Sequence, residues 1–120
     1  MNVLVLDDSD ERHAWFQANL SNVTSVRTVP EAIRALETES YGMVCLDHDL
    51  GTEPAVGRDV ARWLIQHAEY NPLLTVIIQS VNAVSGPKMA RELTEAGRRA
   101  WWIPFPKLPH VLFVNEDAHG

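Results

Sequence analysis

Two short runs of apolar residues, Val3-Leu4-Val5-Leu6 and Met43-Val44-Cys45-Leu46, constrain the fold of this 120-residue chain more than anything else in it. Neither alternates with polar residues, so each reads as a strand covered on both faces by helices, the pattern of a parallel sheet in an α/β domain. Both runs end in acid: Asp7 and Asp8 follow the first, Asp47 and Asp49 the second. Open α/β sheets keep their sites at the carboxyl ends of the strands, which places these carboxylates on one sheet edge. Gathered there they repel one another unless a hard cation or a phosphate-handling role compensates, and the pattern points to a Mg²⁺ site. The competing reading is that the acids cap loops and helix starts; for Asp49 this is a cap on the turn made with Leu50 and Gly51.

The remaining chain repeats a strand–helix alternation. Strand 1 covers about Asn2 to Leu6, and Ser9 is the expected N-cap of a helix with Asp10 and Glu11 in its first turn and Ala14, Trp15, Ala18 and Leu20 on its apolar side. A weaker strand around Val23 and Ser25 ends near Val29, and Pro30 then opens a short helix marked by Ala32, Ile33 and Leu36. Gly42 resets the chain before strand 3. A third helix carries Val60, Ala61, Leu64 and Ile65 and stops before Asn71-Pro72; strand 4 is Leu74 to Ile78. Ser85-Gly86-Pro87 opens a helix with Met89, Ala90 and Leu93 inward and Gly97 as its stop, and Ala100 to Ile103 reads as strand 5. Five such units predict a doubly wound parallel sheet. After Pro104, Pro106 and Pro109, the segment His110 to Val114 is β-branched and aromatic rather than helical in period, so the expectation is a domain over 1–106 followed by an extended arm and tail over 107–120.

Charge narrows the function classes. With 10 Lys and Arg against 16 Asp and Glu the net charge is −6, and the basic residues are scattered, which argues against duplex DNA as a ligand and leaves a phosphate-bearing small molecule or an RNA end. Cys45 lies inside an apolar run and reads as a small buried side chain, not a nucleophile. Acidic groups appear by position 7 and no run approaches about 18 apolar residues, so no membrane segment is expected and the predicted location is cytoplasmic.

The order of these parts resembles the receiver domain of response regulators: an acidic pair after strand 1 (Asp7, Asp8), an acceptor aspartate after strand 3 (Asp47) and a small hydroxyl after strand 4 (Ser80). The resemblance implies a flavodoxin-like sheet of order 2-1-3-4-5, Mg²⁺ held by the acidic pair, a phosphoryl group taken up by Asp47 and its arrival reported by Ser80. Two departures accompany it. Receivers place a lysine directly before the proline at the end of strand 5, where this chain has Ile103, with Lys107 three positions beyond Pro104; and the stretch 107–120 does not read as the family's fifth helix. The block Leu46-Asp47-His48-Asp49-Leu50-Gly51, with Gln79-Ser80-Val81-Asn82 and Arg12, is similar to the cyclic-phosphate-processing branch of receiver-like domains. That likeness implies binding or hydrolysis of a cyclic phosphate on RNA or a nucleotide. The branch is expected to carry a histidine before the serine; here the residue is Gln79.

On this reading Asp47 and His48 are the candidate catalytic residues, and Arg12, Ser80, Asn82 and Lys88 the candidates for holding a phosphate. His48, between two acids, is either a general acid or a partly exposed loop residue. Ser80 and Asn82 bring a hydroxyl and an amide that serve a ligand or a turn equally well. Arg12 is either a bidentate phosphate clamp or the ion-pair partner of a neighbouring acid. Lys88, in the first turn of the helix opened by Ser85, adds positive charge where helical N–H groups face an anion. Of Trp101 and Trp102, one is expected in the core and the other is free to stack on a base. Three functions stay open: a Mg²⁺-dependent domain that binds or hydrolyses a cyclic phosphate, in the latter case a metal-dependent cyclic phosphodiesterase; a phosphorelay receiver phosphorylated on Asp47; and an inactive adaptor whose 110–114 arm pairs with a protein partner.

Overall fold

The computed structural model describes residues 2–47, 56–80 and 83–104. Five parallel strands, β1 (Val3–Leu6), β2 (Val23–Val26), β3 (Met43–Asp47), β4 (Thr75–Gln79) and β5 (Arg99–Trp102), lie in the order β2-β1-β3-β4-β5. They alternate with four helices, α1 (Asp10–Asn19), α2 (Val29–Thr38), α3 (Val56–Gln66) and α4 (Ser85–Glu95). This is the doubly wound sheet expected from the sequence. The arm expected over 107–120 lies outside the described residues.

The two apolar runs are buried along their whole length, and the alternation of side chains sorts them between two cores. Leu4, Leu6, Val44, Leu46, Val76 and Ile78 face α2, α3 and α4, whose Leu36, Leu64 and Leu93 are closed to solvent. Val3, Val5, Met43, Cys45 and Ile77 face the other way, under Phe16 of α1. The inward side of α1 is therefore His13 and Phe16; Ala14 and Ala18 are exposed. The correction has a simple cause: two alanines bury little area, so the helix turns on its aromatic ring, and Trp15 packs edge-to-face on Phe16 with centroids 5.2 Å apart.

Caps set where helices start and stop. The Ser9 hydroxyl accepts from Arg12 N–H at 3.2 Å, and the Thr28 hydroxyl accepts from Glu31 N–H at 3.3 Å while donating to the Glu31 carboxylate at 2.8 Å. Because Thr28 caps α2, β2 ends at Val26, short of the expected Val29. Gly97 closes α4 at φ +92°, a conformation that side chains with a Cβ resist. Arg98 follows it into the interior. Its guanidinium donates to the main-chain oxygens of Leu64 (3.1 and 3.2 Å), His67 (2.9 Å) and Asn71 (2.7 Å), pinning the end of α3 and the turn after it to the start of β5. Among the described residues no helix is long and apolar enough to cross a membrane.

Candidate metal and phosphate site

The site is built where β1, β3 and β4 end. Asp7 follows Leu6 and continues the α1-facing side of β1, Asp47 closes β3 on the same side, and Gln79 is the register partner of Asp47 on β4. All three are shut from solvent: Asp7 is 0%, Asp47 3% and Gln79 1% exposed. Asp8 points out and is exposed. Asp7, Asp8 and Asp47 nevertheless each offer a carboxylate oxygen, and these oxygens lie within 4.8 Å of one another.

Local chemistry holds Asp7 in place. Its Oδ1 accepts from Ser9 N–H at 2.8 Å, so the residue that caps α1 also orients the first acid. Its main-chain oxygen lies 2.8 Å from His13 Nε2; a carbonyl only accepts, so Nε2 donates, and buried Nδ1 has no hydrogen-bond partner among the described residues. Arg27, at the exit of β2, ion-pairs with Asp10 and donates to the main-chain oxygen of Asp8 at 3.0 Å, tying the site loop to the edge of the sheet.

Arg12 supplies countercharge. Its Nη1 lies 3.4 Å from Asp7 Oδ2 and 3.5 Å from Asp47 Oδ2, so of the two roles expected for it, the structure shows the ion pair. Both contacts exceed the 2.7–2.9 Å of a tight charge-assisted bond, and the guanidinium straddles the two acids without closing on either. The three carboxylates, offering hard oxygens in a partly dry setting, match a small divalent cation in donor type. The residues present thus fit Mg²⁺, with Asp7, Asp8 and Asp47 as the groups to hold it.

Ser80 is buried just past β4, and its main-chain oxygen accepts the Trp102 indole N–H at 2.8 Å. The Trp102 ring is half-buried and closes over Gly86 in the first turn of α4, where a Cβ would lie 2.4 Å from Nε1; Trp101, its neighbour, is 62% exposed. Lys88 is exposed in that same first turn, and among the described residues it forms no ion pair with the acids. Ile103 continues β5 through its N–H to the Ile78 oxygen at 3.0 Å and packs into the α1-facing core, so an apolar side chain stands where receivers carry their lysine. His48, Asp49, Asn82 and Lys107 lie outside the described residues. Sequence reasoning passed over His13, and it named Gln79 only for its place before Ser80, not for its burial; both sit at strand- or helix-periodic core positions, which is the signal for burial.

Cys45, on the α1-facing side two residues before Asp47, is buried, and burial together with the negative charge of Asp7 pushes its thiol far above the usual range. It is no nucleophile in the folded chain.

Comparison with known proteins agrees with this geometry. No curated protein matches the chain. Among solved structures, it is similar to the response regulator TrrA of Thermotoga maritima, a structure in complex with Mg²⁺ and BeF, at 16% identity and a TM-score of 0.68 over 97% of this chain and 98% of that one. A CheY-like receiver domain protein of Methanospirillum hungatei gives 16% identity and 0.65 over 98% and 91%, and the receiver domain of a Luxo repressor protein of Vibrio parahaemolyticus 18% and 0.61 over 94% and 87%. These likenesses establish the receiver fold. The family model described as "Cyclic-phosphate processing Receiver domain" matches residues 2–95, and to that family the chain belongs.

Proposed function

We propose that this domain binds Mg²⁺ at Asp7, Asp8 and Asp47 and captures or hydrolyses a cyclic phosphate at an RNA end or on a nucleotide. The observation that carries the reading is the convergence of three carboxylates, two of them buried, with the Arg12 guanidinium beside the buried pair. Bound there, Mg²⁺ would withdraw charge from the phosphoryl oxygens and favour attack at phosphorus. The chain's own groups do the rest. Arg12, a guanidinium beside the two buried acids, orients phosphate oxygens; Ser80 and Asn82 add neutral hydrogen bonds; Lys88 contributes field at the start of α4. His48 moves the proton. Ile103 supports this reading over a stable phosphoaspartate, because an alkyl group offers no charge to the acyl phosphate oxygens.

The decisive experiment is ³¹P NMR of the protein with a 2′,3′-cyclic nucleotide, with and without Mg²⁺, beside Asp47→Asn. A phosphomonoester signal that requires both metal and Asp47 is the expected result. An unchanged spectrum, together with no metal-dependent binding of the nucleotide, overturns the proposal. The second reading, a phosphorelay receiver, rests on Asp47 closing β3 across from Gln79, the residue before Ser80; it predicts a mass gain of one phosphoryl group after acetyl phosphate and Mg²⁺, absent in Asp47→Asn.

A further inference from the structure

Gln79 is the least explained side chain of the domain. It is 1% exposed, it stands beside Asp47 in the β3–β4 register, and among the described residues both its Nε2 and its Oε1 lack a hydrogen-bond partner. A buried amide left open at both ends destabilises a fold, and apart from Asp47 this face is apolar around it, with Ile77 two residues back on the same strand and Ile103 on β5. A methionine or leucine would suit the position better if packing were its only purpose. Nor does the site itself satisfy the amide. Asp47 and Asp7 only accept, which leaves Oε1 without a donor, and the Arg12 Nη1 donors are turned to the two carboxylates.

We infer that Gln79 reads the ligand, pairing its donor and its acceptor with a group that presents an acceptor and a donor side by side. The inference rests on the phosphate-handling reading above and sharpens it to one chemical state. A cyclic phosphate ester presents acceptors alone at phosphorus. When water adds to phosphorus, one ring P–O bond breaks and the freed ribose oxygen takes up a proton, so the opened product carries a phosphate oxygen next to a hydroxyl. That pair matches the carboxamide: Nε2 donates to the phosphate oxygen and Oε1 accepts from the hydroxyl. With both atoms closed to water, discrimination against a ligand lacking the hydroxyl is large, since such a ligand leaves Oε1 as unpaired as before. Gln79 is on this account a specificity residue for a phosphomonoester with a vicinal hydroxyl, the class of molecule left at an opened 2′,3′-cyclic end.

The test is calorimetric titration of the full chain, in Mg²⁺, with adenosine 3′-monophosphate and with its 2′-deoxy analogue, comparing wild type, Gln79→Met and Asp47→Asn, alongside ligand-free thermal melts. Wild type is expected to favour the ribose form about tenfold or more. Gln79→Met is expected to bind both nucleotides alike and to melt at or above the wild-type temperature, because it removes two unpaired polar atoms and keeps the shape. A ribose preference that survives in Gln79→Met overturns the inference, as does a wild type with no preference. So does a melting temperature that falls by more than about 5 °C, which marks the amide as structurally partnered. If wild type binds both nucleotides and Asp47→Asn binds neither while no Gln79-dependent preference is seen, this inference falls and the phosphate site stands. If wild type binds neither nucleotide, both fall.

Discussion

Arg98 offers the sharpest test of how the scaffold behind the site is held. Its four hydrogen bonds end on three carbonyls, and these differ in what else they have. His67 O also accepts from Tyr70 N–H at 3.1 Å and Asn71 O from Leu74 N–H at 3.0 Å, whereas Leu64 O, in the last turn of α3, has no other donor among the described residues. Arg98→Met keeps an unbranched stem and removes every donor. Depriving one buried carbonyl outright costs about 1–3 kcal/mol, and thinning two others costs about 0.5–1.5 kcal/mol each. Part of this is returned, because burial lowers the guanidinium's pKa against the opposing charge of Glu69, and the variant no longer holds that cation out of water. The expected loss is about 3 kcal/mol, or about 10 °C in melting temperature for a domain of this size. Urea unfolding followed by circular dichroism would show the midpoint moving at unchanged slope. Arg98→Lys, a point charge without a fork, should lie within about 1 kcal/mol of the methionine variant. A loss below about 1 kcal/mol for Arg98→Met would refute the reasoning and show that the three carbonyls find other donors.

Further expectations concern the site and its surroundings. Arg12→Gln removes the only described cation that touches both buried acids; melting in EDTA should fall by a few degrees, and the rise produced by millimolar Mg²⁺ should be larger than in wild type, while an equal or smaller rise would speak against a shared cation seat. Gly86→Ala forces a Cβ to within 2.4 Å of the Trp102 indole nitrogen and should cost about 1–3 kcal/mol while breaking the bond to Ser80 O, read as a shift of the indole ¹⁵N–H resonance. Cys45 should resist Ellman's reagent until the chain is unfolded. Its pKa is raised in the fold, so its contribution is complete below the unfolded thiol's value of 9.0 and is lost as pH climbs above it. Stability should therefore decline by up to about 1.4 kcal/mol per pH unit there, and Cys45→Val should remove that component of the slope.

Much of this architecture was legible because burial on two faces leaves a plain mark in sequence. The unbroken runs of β1 and β3 and the acids that follow them located the centre of the sheet, and Ser9, Pro30 and Gly97 marked helix ends through chemistry local to each turn. What stayed hidden depends on partners distant along the chain. Arg98, charged and next to a helix stop, looks like a surface residue; its burial is explained by carbonyls 27 to 34 positions away. Gln79 was legible as the residue occupying a family position, but the lack of a partner for either amide atom is a fact of three-dimensional packing. The face of α1 was read only in part, because the helix is weakly patterned and one phenylalanine decides its rotation: Trp15 and Leu20 pack on the core as expected, Ala14 and Ala18 do not.

The indole bond across the end of the sheet has a consequence for observation. Trp102 belongs to the edge strand, yet its N–H is spent on the carbonyl of Ser80, one residue past β4. That proton can exchange with deuterated solvent only when the bond opens, so its exchange time is a clock on how often the contact between Trp102 and the end of β4 comes apart. Exposed Trp101, next along the same strand, lacks such a lock among the described contacts and serves as the fast-exchanging reference in the same spectrum.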